Sequence, residues 1–127
     1  MKRRLLVLAV AALLAACDNG PKAGTLTLAL AGPQRARSVK FRLVGPQTDV
    51  TEPTGSALGL IFESLPGDTT VIAVFAPVGD SVNGGTVALI QVPDVHASGS
   101  YHAEVLEVAS PSYVLHTASQ YVLTVSK

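Results

Sequence analysis

The chain reads as all-β, a single antiparallel β-sandwich of seven strands behind an N-terminal signal helix. Three observations predict this class. From Thr25 onward apolar residues recur at every second position, which places them on one face of a pleated strand. Glycine and proline, 11 and 8 in number, punctuate the chain often enough to end a strand every eight to fifteen residues or so. No stretch beyond the first sixteen residues carries apolar side chains at helical spacing over a useful length.

The N-terminus has its own logic. Lys2, Arg3 and Arg4 precede an uncharged apolar run from Leu5 to Leu14, and Ala15-Ala16 stand before Cys17. A basic, then apolar, then small-residue order is that of a secretory signal. The run is about a dozen residues, short of the roughly 20 that a helix needs to cross a bilayer, so a processed leader is expected rather than a permanent span. Leu14-Ala15-Ala16-Cys17 resembles the lipobox of bacterial lipoproteins. That resemblance, confined to the leader, implies cleavage before Cys17, diacylation of its thiol and acylation of the freed amino group. It also implies a membrane-anchored protein of the cell envelope. Asp18, directly after the cysteine, resembles the inner-membrane retention signal of some lipoproteins; the rule differs between bacteria, so inner or outer membrane stays open.

The expected organisation is therefore a signal peptide over 1–16, a lipidated Cys17 with a flexible tether through residue 24, and a domain over 25–127. Asp18 to Gly24 is rich in turn formers and has no apolar period, and at about 3.5 Å per residue it reaches roughly 25 Å, keeping the domain close to the surface. Cleavage removes three of nine basic residues and no acidic one, leaving six against nine and a net charge of −3. A mildly acidic domain lacks the long-range attraction that nucleic acid or an anionic bilayer would need, so neither is expected as a partner. Cys17 is the sole cysteine, so no disulfide can form within the chain and burial alone must hold the domain together.

Each strand follows from its pattern. Thr25–Leu30 alternates with its leucines on one face, and Val39–Leu43 places Val39, Phe41 and Leu43 inward. Ala57–Glu63 and Thr69–Ala76 are apolar nearly throughout, the pattern of strands covered on both sides or central in a sheet, with Pro66-Gly67-Asp68 turning between them. Thr86–Val92 follows Asn83-Gly84, a pair suited to a tight hairpin, so its flanking strands are expected to pair antiparallel. In Tyr101–Val108 the alternation changes phase, and a β-bulge near Val105 or Leu106 reconciles the two halves. Gln120–Ser126 closes the fold with Tyr121, Leu123 and Val125 on one side. No internal repeat is evident. In strand number and size the domain resembles immunoglobulin-like and cohesin-like sandwiches, a likeness too loose to carry any function over.

Candidate chemistry is sparse. His96, His102 and His116 are not at a ligand spacing, so no metal or other cofactor is expected. No Gly-x-Ser-x-Gly elbow marks a nucleophile. His102 and Glu104 share a strand face about 7 Å apart, where polar residues belong in any case. Glu104 and Glu107 lack anything to split their pKa values, and Asp49, Glu52, Asp80 and Asp94 sit among turn residues. Arg35, Arg37, Lys40 and Arg42 form the single basic cluster; Lys40 and Arg42 share one face and are possible contacts for an acidic group. Among the six aromatic residues, Tyr113 in Ser110-Pro111-Ser112-Tyr113 is the one that reads as loop-borne, a contact residue or a core residue. The reading that results is a non-catalytic, lipid-anchored module that binds or braces another envelope protein. The alternative is an exported enzyme or metal protein with a site assembled from scattered histidines and carboxylates.

Overall fold

A computed structural model describes residues 20–127, and the leader, Cys17 and Asp18 lie outside the described residues. Nine strands follow: β1 (Gly24–Ala31), β2 (Ser38–Val44), β3 (Asp49–Thr51), β4 (Gly59–Leu65), β5 (Thr69–Phe75), β6 (Gly85–Val92), β7 (His102–Ala109), β8 (Leu115–His116) and β9 (Val122–Ser126). They form two antiparallel sheets, one of four strands in the order β3-β6-β1-β9 and one of five in the order β4-β5-β2-β7-β8. The class is all-β, as its period of two predicts, but the expected count of seven strands is too low. The two additions, β3 and β8, have three and two residues, too few for alternation to show in a sequence.

The inward sets are those that the alternation assigns. Leu26, Leu28 and Leu30 of β1 pack across from Val39, Phe41 and Leu43 of β2, and Ile72, Val74, Val87, Ile90 and Val108 complete the buried interior. The phase change in β7 is a bulge: Lys40 pairs with Glu107 and Phe41 with Val105, which leaves Leu106 as the extra residue. A second bulge, at Val87 of β6, lets the consecutive Val87 and Ala88 both face inward.

Two pairings differ from expectation. Asn83-Gly84 does not close a hairpin, because β5 lies in the five-stranded sheet and β6 in the four-stranded one. Gly84 takes the positive φ of 89° that Asn-Gly favours, yet the turn serves a crossing between sheets. Asn83 makes that crossing specific: its Oδ1 accepts from the Ala36 N–H at 3.0 Å and its Nδ2 donates to the Gln34 carbonyl at 2.7 Å. The strand expected to be central, Ala57–Glu63, is instead the edge strand β4, with residues 61–65 exposed. Its apolar composition reflects a bare edge rather than cover on both sides.

The chain enters at one end of the sandwich and keeps that end ordered. The Lys22 N–H donates to Asp94 Oδ1 at 3.2 Å and the Lys22 carbonyl accepts from the Val95 N–H at 2.8 Å, so the segment is held to the fold two residues before β1 begins. Loops 45–48, 66–68 and 93–101 share this entry end. Loops 32–37, 76–84 and 110–121, with residues 56–58 before β4, make up the far end.

One short motif recurs. Gly32-Pro33-Gln34 follows β1 and Gly45-Pro46-Gln47 follows β2. A tyrosine closes on each. The Tyr121 ring covers Gly32 and its hydroxyl donates to the Gln34 carbonyl, while the Tyr101 ring covers Gly45 and its hydroxyl donates to the Pro46 carbonyl. Each tyrosine caps a short 3-10 segment, Ala118–Gln120 or Val95–Ser100, and immediately precedes the strand that pairs with β1 or β2. The motif is of three residues only, and the tyrosines that close on it stand far along the chain, so linear order does not announce the pairing.

Candidate functional site

The residues singled out for chemistry are dispersed. His96 follows Asp94 in the entry-end 3-10 segment, with Nδ1 3.5 Å from Asp94 Oδ1. The N–H groups of Lys22 and then His96 donate to that carboxylate and hold its pKa below the usual value. His102 starts β7 on the outer face. His116, on β8 at the far end, stacks on Tyr121 with ring centroids 6.0 Å apart, and its Nδ1 lies 2.7 Å from the tyrosine hydroxyl. Because that hydroxyl donates to Gln34, Nδ1 must supply the proton of this second bond, which fixes the histidine's tautomer. Among the described residues no three His, Cys, Asp or Glu side chains gather as metal ligands would.

Lys40 and Arg42 do share the outer face of the five-stranded sheet. Across it run registered rows: Glu107, Lys40, Ala73 and Ile61 in one, and Glu104, Arg42, Val71 and Glu63 in the next. Arg42 is spent within its row, its Nη2 reaching Glu104 Oε2 at 2.7 Å. Glu104 is thereby committed to a cation and is not held against His102 as an acid or base. Lys40 stands beside Glu107 in register on one side and borders a shallow apolar hollow with Ile61, Val71 and Ala73 on the other.

A second hollow lies among the far-end loops, lined by Arg35, Asp80 and Asn83. Its polar atoms already serve the loops, since Arg35 Nη2 donates to the Gly79 carbonyl at 2.7 Å and both amide atoms of Asn83 are bonded. Asp80 lines the same hollow beside Arg35.

Tyr113 stands apart from all of these. It lies in a loop at the far end, 71% exposed, with a positive φ of 65° that a bulky L-residue rarely adopts. Ser110 imposes that conformation: its hydroxyl accepts from the Ser112 and Val114 N–H groups, and its carbonyl accepts from the Tyr113 N–H at 2.9 Å. Val114 and Leu115 follow, also exposed, so three consecutive apolar side chains face solvent. Arg37 ties this loop to the one after β5. Its guanidinium lies 5.0 Å from the centre of the Tyr113 ring while its Nε donates to the Ala76 carbonyl, two residues before Val78, which is 84% exposed. The far end thus exposes Tyr113, Val114 and Val78, with Arg37 joining the loops that carry the tyrosine and Val78, while Leu115 lies on the outer sheet face with Lys40 and Glu107.

Comparison with known proteins finds no matching family model, and no curated protein or solved structure matches the chain. The tyrosine was legible as loop-borne because proline and serines flank it. Val78 and the neighbouring Val114 and Leu115 were not, since an isolated apolar residue in sequence gives no sign of which way it faces.

Proposed function

We propose that this chain is a lipid-anchored, non-catalytic module of the bacterial cell envelope that binds or braces another envelope protein. Anchoring rests on Leu14-Ala15-Ala16-Cys17 and the basic-apolar leader before it. The observation that supports a binding role is the far-end surface. An exposed tyrosine that costs backbone strain to display, with an arginine against its ring and exposed Val114 and Val78 at the same end, is the composition of a contact surface rather than of a solvated loop. Polypeptide enters the domain at the opposite end, so an anchor on Cys17 leaves this surface unencumbered. Arg35 and Arg37, opposed there only by Asp80 among the described residues, favour a partner that offers carboxylates beside apolar side chains.

The test is crosslinking in native membranes from a photoreactive residue at position 114, read by mass spectrometry. A defined envelope protein should be captured by the wild type and lost with Tyr113→Gly, which relieves the strained φ and keeps the fold while removing the ring. Recovery of the protein alone, in every growth condition, would end the binding reading. Intact mass of the membrane-extracted chain tests the anchor separately, and it should correspond to a start at Cys17 plus acyl chains. Cys17→Ser should leave the precursor uncut and unacylated, because the thiol is the acceptor.

A further inference from the structure

The five-stranded sheet ends in a long edge whose one charged guard is Glu63. A free edge is a row of unpaired N–H and C=O groups that another strand can complete, and folded proteins blunt it with short strands, charges, prolines or bulges. Of the four edges among the described residues, β3 and β8 are blunted by brevity, and β9 runs only five residues, turning Val122, Thr124 and Ser126 to solvent. β4 runs seven residues, each paired to β5 in unbroken register, with no proline and no basic residue. Ile61, Phe62 and Leu65 on it are exposed, Ile61 by 64%.

We propose that a second copy of this chain completes that edge, β4 pairing antiparallel with β4 across a two-fold axis at Phe62, so that two five-stranded sheets join into one of ten. The strand is complementary to itself in this register. Outward positions must meet outward positions because side chains alternate with a period of two. Centring on Phe62 sets Gly59 opposite Leu65 of the second copy and Ile61 opposite its Glu63, while the two Phe62 rings meet on the inner face. A centre at Glu63 would oppose two carboxylates, and a centre at Ile61 would leave Leu65 without a cross-strand neighbour.

Charge completes the match. Lys40, Ala73 and Ile61 form one row that ends at the free edge. In the joined sheet that row continues into Glu63 of the second copy. At about 4.8 Å per strand the two Cα atoms stand about 14 Å apart, most of which an extended lysine and glutamate span between them. Ala73 and Ile61, lying between, give the lysine stem an apolar bed. The two-fold axis makes this pair twice. It also sets the two entry ends at opposite ends of the joint sheet, with a far-end surface free at each flank.

Sedimentation of the full chain in detergent, from micromolar concentration upward, tests the inference whether or not Cys17 is acylated. The wild type should associate to a dimer, and Ile61→Lys should be monomeric with the melting temperature that the wild type shows when diluted to monomer. Lys40→Glu and Glu63→Lys should each weaken the dimer about tenfold, since two opposite-charge pairs become like-charge pairs at once. An equimolar mixture of those two variants should recover wild-type association, because the mixed dimer restores both pairs. The inference is overturned if the wild type stays monomeric throughout, if Ile61→Lys leaves association intact, if the mixture fails to recover, or if crosslinks from β4 reach only a different protein.

Discussion

Tyr121 donates its hydroxyl proton to the carbonyl of Gln34 at 2.9 Å while its ring lies flat over Gly32, and Tyr101 repeats the arrangement on Gly45 and Pro46. A Cβ at Gly32 would fall 2.1 Å from the Tyr121 ring, and one at Gly45 would fall 2.3 Å from Tyr101. Both Gly→Ala variants should therefore displace a buried ring and cost about 1–3 kcal/mol, the range for overpacking. Gly45→Ala should cost more, because its φ of 143° is one that side-chain-bearing residues rarely take. Urea denaturation of the two variants checks the order; equal losses would mean that the rings, and not the backbone angle, carry the whole penalty.

Phe41 is fully buried and sits at the centre of the interior, between β5 on one side and the bulge of β7 on the other. Phe41→Ala should cost about 3–5 kcal/mol, the transfer of a ring plus the cavity it leaves. A change within about 0.5 kcal/mol in a denaturant melt, the range of surface substitutions, would refute that placement.

Burial raises the pKa of the Tyr101 hydroxyl above its usual 10, and the nearby charges of Asp68 and Asp94 push the same way. In the unfolded chain this group loses its proton near pH 10, while the folded chain still holds it. The unfolded state then binds fewer protons, so stability falls as pH rises past 10 and is unaffected by this group below it. Tyr101→Phe should flatten that alkaline decline in a series of melts across pH; an identical decline would assign it to other groups.

Arg42 and Glu104 form an ion pair at 2.7 Å, but their side chains are 44% and 66% exposed. Water and salt screen such a pair, so Arg42→Ala or Glu104→Ala should change stability by less than about 1 kcal/mol, and by less still at high ionic strength. A larger effect, or one insensitive to salt, would require a role for Arg42 beyond this pair.

Much of the fold is legible in the sequence, and the limits have physical causes. Alternation assigns Leu26, Phe41 and Val105 to the interior because a strand's faces differ by one residue, and the phase slip after Val105 marks the Leu106 bulge for the same reason. Alternation says nothing of which sheet a strand joins. Thr69–Phe75 and Gly85–Val92 look like hairpin partners around Asn83-Gly84, and only packing of the far-end loops on Gln34 and Ala36 sends them to separate sheets. Composition likewise misreads β4, since an apolar run is the same in sequence whether a neighbour covers it or a bare edge displays it. For the candidate surface, Tyr113 was visible through its turn-forming neighbours, while Arg37 joins it through a contact spanning 76 residues of chain, which no local pattern can report.

The pairing of β1 with β9 has a consequence for how this protein is made. Thr27 pairs in register with Ser126, so the first strand of the domain finds one of its neighbours only after about a hundred further residues have been synthesised. Its other neighbour, β6, is also distant, with Gly24 opposite Val92. Contacts so far apart in the chain must be closed at the expense of long loops, and such topologies fold slowly. A nascent chain of this design stays unfolded while it lengthens, and its two sheets close together only when the domain is whole.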